Sequence, residues 1–145
     1  MPLRFLDDNF WSDGFVFKLD TDGKCLYGFC IANPQQKPHG IFEAPLSLIS
    51  SFTRISEEKI AVLLAEFEKA DKIKWLPSLD KIWVKKFIII QTKNPKYFAG
   101  MLACLEKEPY ELQQEYLTYY NDYGLWVKYK IDISGLRTKR TDGHK

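Results

Sequence analysis

Histidine and cysteine are scarce in this chain, and neither is arranged for chemistry. The two histidines, His39 and His144, have no clustered partners, and the Cys25/Cys30 spacing fits no zinc knuckle, so no metal site is expected. Three cysteines (Cys25, Cys30, Cys104) are odd in number and sit among apolar neighbours, which predicts buried free thiols in a reducing compartment. A nucleotide-binding glycine loop, a nucleophile elbow and a His-rich motif are all missing. Adjacent Asp7 and Asp8 point opposite ways on an extended arm, and Glu57 and Glu58 suit the positive end of a helix dipole. No enzymatic activity and no cofactor are expected. There is no apolar run of about 18 residues and no charged-then-apolar leader, so neither membrane spanning nor secretion is expected and the cytoplasm is the predicted location.

What is present suits a soluble globular body. The 145 residues are 46% apolar, 28% charged and 15% aromatic, enough for one domain with a real core and a small appendage. The net charge of +2 is unevenly spread. Residues 128–145 hold Lys128, Lys130, Arg137, Lys139, Arg140 and Lys145 against Asp132 and Asp142, giving +4 and leaving −2 for the preceding 127. A basic end of this kind either meets a polyanion or simply keeps the chain soluble.

Periodicity and capping signals predict the elements. A turn of helix is expected around Ser12–Leu19. A helix capped by Asp20 or Thr21 follows, with Leu26, Phe29 and Cys30 on one face, closed by Asn33-Pro34. "GIFEA" suggests a short strand. "PLSLISSFTRI" reads as a two-turn helix with Pro45 first and Leu46, Ile49 and Phe52 inward. Ser56 then caps a long helix whose buried stripe is Ile60, Leu63, Leu64, Phe67 and Ala70. "KIKWL", the turn "PSLD" and "KIWVKKFIII" make a hairpin. Asn94-Pro95 and Pro109 each start a further helix, the second ending at Gly124, and the remainder reads as extended and then polar. The fold class is α+β, mainly helical: a winged helix-turn-helix over 1–92, a helical hairpin covering it over 93–124, and an extended basic tail, in part disordered, over 125–145.

In that fold the second helix of the turn would offer its first residues to base edges while the neighbouring helix and the hairpin meet phosphates. The DNA-binding candidates are Ser47, Ser50 and Ser51 on the shorter helix, Arg54 in the turn, and Ser56 and Lys59 on the longer one. Lys74, Ser78, Lys81, Lys85 and Lys86 supply the hairpin, with Arg137, Lys139 and Arg140 in the tail. The long helix is a poor partner for phosphate, since residues 56–72 carry five acids against three bases. Val62, Ala65 and Glu66 on its outer side are instead candidates for contact with protein. Trp83, beside the hairpin lysines, is expected in the core.

The stretches "RFLDDNFWSD", "LYGFCIANP" with "GIFEAPLSLIS", and "ISEEKIAVLLAEFEKADKI" with "IWVKKFI" resemble one family. So do "NPKYFAGMLACLEKEPYELQQEYLTYY" and "YKIDI". Together they span roughly residues 4–133 and are similar to the N-terminal winged-helix domain of phage replication initiators and replisome organisers, and to that of DnaD-type primosome proteins. The resemblance implies a non-enzymatic role in initiating DNA replication, with origin or single-strand binding, self-association as a homo-oligomer, and recruitment of a replicative helicase or its loader. Two other readings stay open: a protein-interaction or self-association module without DNA affinity of its own, and a winged-helix transcriptional regulator.

Overall fold

The computed structural model describes residues 4, 6–91 and 94–133. It is α+β and mainly helical, with one small antiparallel sheet, and divides into two compact units, Met1–Thr92 and Lys93–Lys145.

The first unit begins with a 3-10 turn, Asp8–Ser12, and a single helical turn, α1 (Gly14–Phe17). The carboxylate of Asp13 accepts from the backbone N–H groups of Phe15 and Val16 and so starts α1. Of the two predicted caps for α2 (Thr21–Ile31), Asp20 takes the role, accepting from the Gly23 N–H at 2.7 Å. The Asn33 amide donates to the Phe29 carbonyl at 2.7 Å and closes the helix before Pro34. β1 (Ile41–Glu43) follows, then α3 (Leu46–Thr53) and α4 (Glu57–Lys69). In α4 the Ser56 hydroxyl oxygen accepts from the Lys59 N–H, and Ile60, Leu63, Leu64 and Phe67 are buried. A fully buried side chain of this size contributes roughly 1.5–3 kcal/mol. Ala70 lies past the helix end and is exposed, so the stripe is one residue shorter than periodicity suggested.

The sheet pairs β2 (Ile73–Leu76) and β3 (Lys81–Val84) through the turn Pro77–Leu79, and β1 joins the other edge of β3. Registers are Ile41↔Trp83 and Phe42↔Ile82 on one side, Lys74↔Trp83 and Trp75↔Ile82 on the other. β3 is therefore bonded along both edges, and Ile82, Trp83 and Val84 are all buried. Trp83 takes the predicted core position. The strand stops at Val84, short of the expected "KIWVKKFIII". Lys86 turns left-handed (φ 66°), and Phe87–Ile90 coil into a helical turn, α5, that buries Phe87 and Ile88 side by side. Four consecutive apolar residues carry no period, so the sequence could not separate strand from helix here.

Two further expectations change. Phe52, in the last turn of α3, is 51% exposed, with its ring 5.7 Å from that of Phe29, while Ile49 takes the inward position of that helix. Cys25 is exposed, on the outer side of α2 from Leu26 and Cys30. Cys30 is buried, which pushes its thiol up to about 12, and Cys104 is half-buried.

In the second unit the Asn94 side chain accepts from the Tyr97 N–H and Pro95 opens α6 (Pro95–Leu105), which buries Phe98, Met101 and Leu105. The Gln113 amide, itself buried, donates to the carbonyls of Glu106 and Glu108 and ties the connection to α7 (Tyr110–Asn121). Leu112, Tyr116, Leu117 and Tyr120 form the buried stripe of α7. After Gly124 (φ 66°) the chain makes a helical turn, α8 (Leu125–Lys128), where an extended segment was expected. The reason is tertiary: the Trp126 indole N–H reaches the Leu117 carbonyl at 2.9 Å, and both Leu125 and Trp126 are buried. No helix among the described residues is long and apolar enough to cross a membrane.

Gly40 marks the tightest approach in the first unit. Its φ is +83°, and a methyl group there would stand 2.7 Å from Cβ of Phe87. Gly40→Ala combines left-handed strain with a clash against a buried ring, and is expected to destabilise the fold by about 2–4 kcal/mol in chemical denaturation. A loss under about 1 kcal/mol would mean that the Phe87 turn is loosely held.

Candidate nucleic-acid interface

The connection between α3 and α4 is tight and internally bonded. Arg54 adopts a left-handed conformation (φ 66°), with its N–H donating to the Ser50 carbonyl at 2.7 Å. The Ser50 hydroxyl donates to the Ile55 carbonyl and the Thr53 hydroxyl to that of Ile49, while the Ile55 N–H donates to Thr53 Oγ1. Ile55 is buried beneath the turn, and the Arg54 side chain is exposed at its apex. Ser50 thus spends its hydroxyl on holding the turn, and Ser56 accepts the capping bond of α4. Ser47 and Ser51 are exposed, with the Ser51 hydroxyl donating to the Ser47 carbonyl at 3.0 Å.

Lys59 points to a different partner. Its ammonium lies 3.1 Å from Asp20 and 2.9 Å from Asp22, joining the first turns of α2 and α4. The Gly23 N–H first, and then Lys59, hold the Asp20 carboxyl below its ordinary 3.8. Asp22 and Asp20 in turn raise Lys59.

The strand register assembles the hairpin residues. Directly opposed residues of an antiparallel pair share a face, as do alternate residues along a strand. Lys74, Lys81 and Trp83 therefore lie on one face of the sheet, with Glu43 of β1 opposite Lys81. Lys85 reaches the same indole, its ammonium 5.4 Å from the ring centroid, and ion-pairs with Asp71 at 2.7 Å. Its side chain is only 16% exposed. Lys86 and Ser78 are exposed, the first at the exit of β3 and the second in the hairpin turn. The structure thus brings Lys74, Lys81 and Lys85 together around Trp83 and draws Lys59 away to α2. Arg137, Lys139 and Arg140 lie outside the described residues.

On α4, Glu57, Glu58, Glu66 and Glu68 are all exposed, as are Val62, Ala65 and Lys69. The Lys59 and Lys85 carboxylate pairs were not visible in the sequence, since Asp20 is 39 residues from Lys59 and Asp71 is 14 from Lys85. Among the described residues, no group of three or more His, Cys, Asp or Glu could hold a metal ion.

The Asp20 interaction has a definite pH sign. With its folded pKa depressed, the carboxyl favours the fold above its unfolded value and loses that contribution as pH falls through the lower folded value. A carboxyl NMR titration is expected to place the Asp20 midpoint below 3.8, and Lys59→Gln to raise it only part of the way, because the Gly23 N–H remains. An unchanged midpoint in that variant would show that the ion pair is not held in solution. No protein-family model, curated protein or solved structure matches this chain.

Proposed function

We infer that the Met1–Thr92 unit is a winged helix that binds nucleic acid during initiation of DNA replication, of phage or prophage type, and that it meets phosphate with its hairpin and turn. One observation carries the reading: the register that sets Lys74 and Lys81 on a common face beside Trp83. Exposed Arg54 at the α3–α4 turn and exposed Lys86 after β3 add two more cations. The connectivity supports it as well, since a strand, two helices joined by a tight turn, and a hairpin follow one another in the order this fold requires. Phosphate contacts position a protein on the backbone without reading sequence, which suits flexible lysines on a rigid sheet. The α4 helix is the weaker candidate, because its four exposed glutamates repel phosphate and Lys59 is engaged with Asp20 and Asp22. Lys85 acts chiefly in covering Trp83, as its low exposure and its pair with Asp71 indicate. Recruitment of a replicative helicase or its loader belongs to the same reading and rests on sequence resemblance alone.

Gel-shift titration against a random duplex and a random single strand, each at two salt concentrations, tests the inference and decides the preferred strand form. Binding at about 1 µM or tighter in low salt, weakening steeply as salt rises, is expected for one or both. Replacing Lys74, Lys81 and Lys86 together by Ala should flatten the salt dependence by about one unit of slope per lysine. Lys59→Gln should leave affinity unaltered. Absence of binding to both probes, or a triple variant that binds like the parent, would overturn the reading.

A further inference from the structure

A cavity of about 240 Å³ opens in the first unit where the Asp8–Ser12 turn, α1 and α2 meet the exit of β3 and α5. Its floor is apolar, formed by buried Phe10, Ile31, Val84 and Phe87. Its rim is charged, with the two signs on separate segments of chain. Asp7 and Asp13 stand before the 3-10 turn and α1, whereas Lys72 precedes β2 and Lys86 follows β3. Asp71 and Lys85, which also line the cavity, satisfy one another at 2.7 Å.

Several of these groups keep hydrogen-bonding capacity that the chain does not use. Asp7 accepts from the Asn9 N–H through Oδ1, and Asp13 accepts from Phe15 and Val16 through Oδ2. Among the described residues, the second oxygen of each carboxylate has no protein donor. The Lys72 ammonium stands 5.1 Å from the Phe15 ring centroid and forms no ion pair among the described residues. Tyr27 lines the same cavity, its ring fixed by stacking on Phe10 at 6.0 Å and by edge contacts with Phe15 and Phe67. Its hydroxyl makes no hydrogen bond among the described residues. Burial first, and then Cys30 and Asp13, push that phenol above its ordinary value, so it stays neutral and able to donate.

An apolar floor with a few placed polar groups is the usual form of a small-molecule site, and this one lies below the roughly 300–1,000 Å³ of sites for drug-sized ligands. A ligand of one charge alone would gain at one part of the rim and be repelled at the other. We propose that the cavity binds a small zwitterion with an apolar or aromatic body, of the class of the free apolar amino acids. Its ammonium would meet Asp7 and Asp13, its carboxylate Lys72 and Lys86, and its side chain the floor beside the Phe10 and Tyr27 rings. The site goes beyond the nucleic-acid reading. Lys72 and Tyr27 have no part in that reading, so either can fail without the other.

An amide NMR titration of the full chain with free L-phenylalanine tests the proposal. Saturable shifts are expected at Phe10, Tyr27, Lys72 and Phe87, with a Kd of about 0.1–1 mM for so small a ligand. Phenylacetate lacks the ammonium, phenethylamine lacks the carboxylate, and inorganic phosphate lacks the apolar body; each should bind at least about tenfold more weakly. Tyr27→Phe keeps the ring packing and Lys72→Gln keeps most of the stem, and each should weaken phenylalanine binding about three- to tenfold while the spectrum shows a folded protein. Lys59→Gln, remote from the cavity lining, should bind as the parent does. No saturable shift with L-phenylalanine or L-leucine, or shifts confined to other residues, would overturn the site. Phenylacetate or phosphate binding as tightly as phenylalanine would overturn the zwitterionic class, and two folded variants with the parent's affinity would overturn the assigned contacts.

Discussion

The first unit depends on β3 being bonded along both edges. With β1 and β2 paired to it, the backbone of β3 is hydrogen-bonded along both edges, and its side chains Ile82, Trp83 and Val84 are buried, Trp83 fully, at the centre of a three-stranded sheet. Burying that ring contributes more than any other single side chain in the sheet. It also dictates where charge can go: lysines must leave from strand ends or from the edge strand, as Lys74, Lys81, Lys85 and Lys86 do. A small sheet with a hydrophobic centre thereby displays cations around its rim.

Charge is sorted between surfaces in a way composition does not reveal. The acids Asp20 and Asp22 draw Lys59 onto α2, and Asp71 holds Lys85 near the Trp83 ring. The exposed Lys59 pairs stabilise little, but together with the Lys85 pair they decide which cations a distant anion meets first. What remains outward on α4 is a mixed strip of acid, small apolar residues and one terminal lysine. Such a strip suits another protein surface better than a phosphate backbone, whereas the rim of the sheet and the apex of the α3–α4 turn suit the phosphate.

Local signals made most elements legible. The Ser56 cap, the glutamates in the first turn and the i, i+3, i+4 stripe marked α4, and Asn94-Pro95 marked α6. These succeed because capping and helical periodicity involve residues within a few positions of one another. The failures share a cause as well. Phe87–Ile90 and Leu125–Lys128 coil into helical turns because particular side chains find burial there, Phe87 beneath Gly40 and Trp126 on the Leu117 carbonyl. Neither contact leaves a trace in the spacing of neighbouring residues.

The sequence by itself determined which residues cap, coil and turn, where the buried stripes run, and that cations gather along the hairpin. Only the tertiary structure decided that Lys59 faces Asp20 and Asp22, that Lys85 lies against Trp83 and Asp71, and that Phe52 faces outward. The reason is physical. Helix caps and periodic faces are settled by interactions within one or two turns of chain, whereas the partner of a charge or the cover of a ring is settled by how separate elements pack.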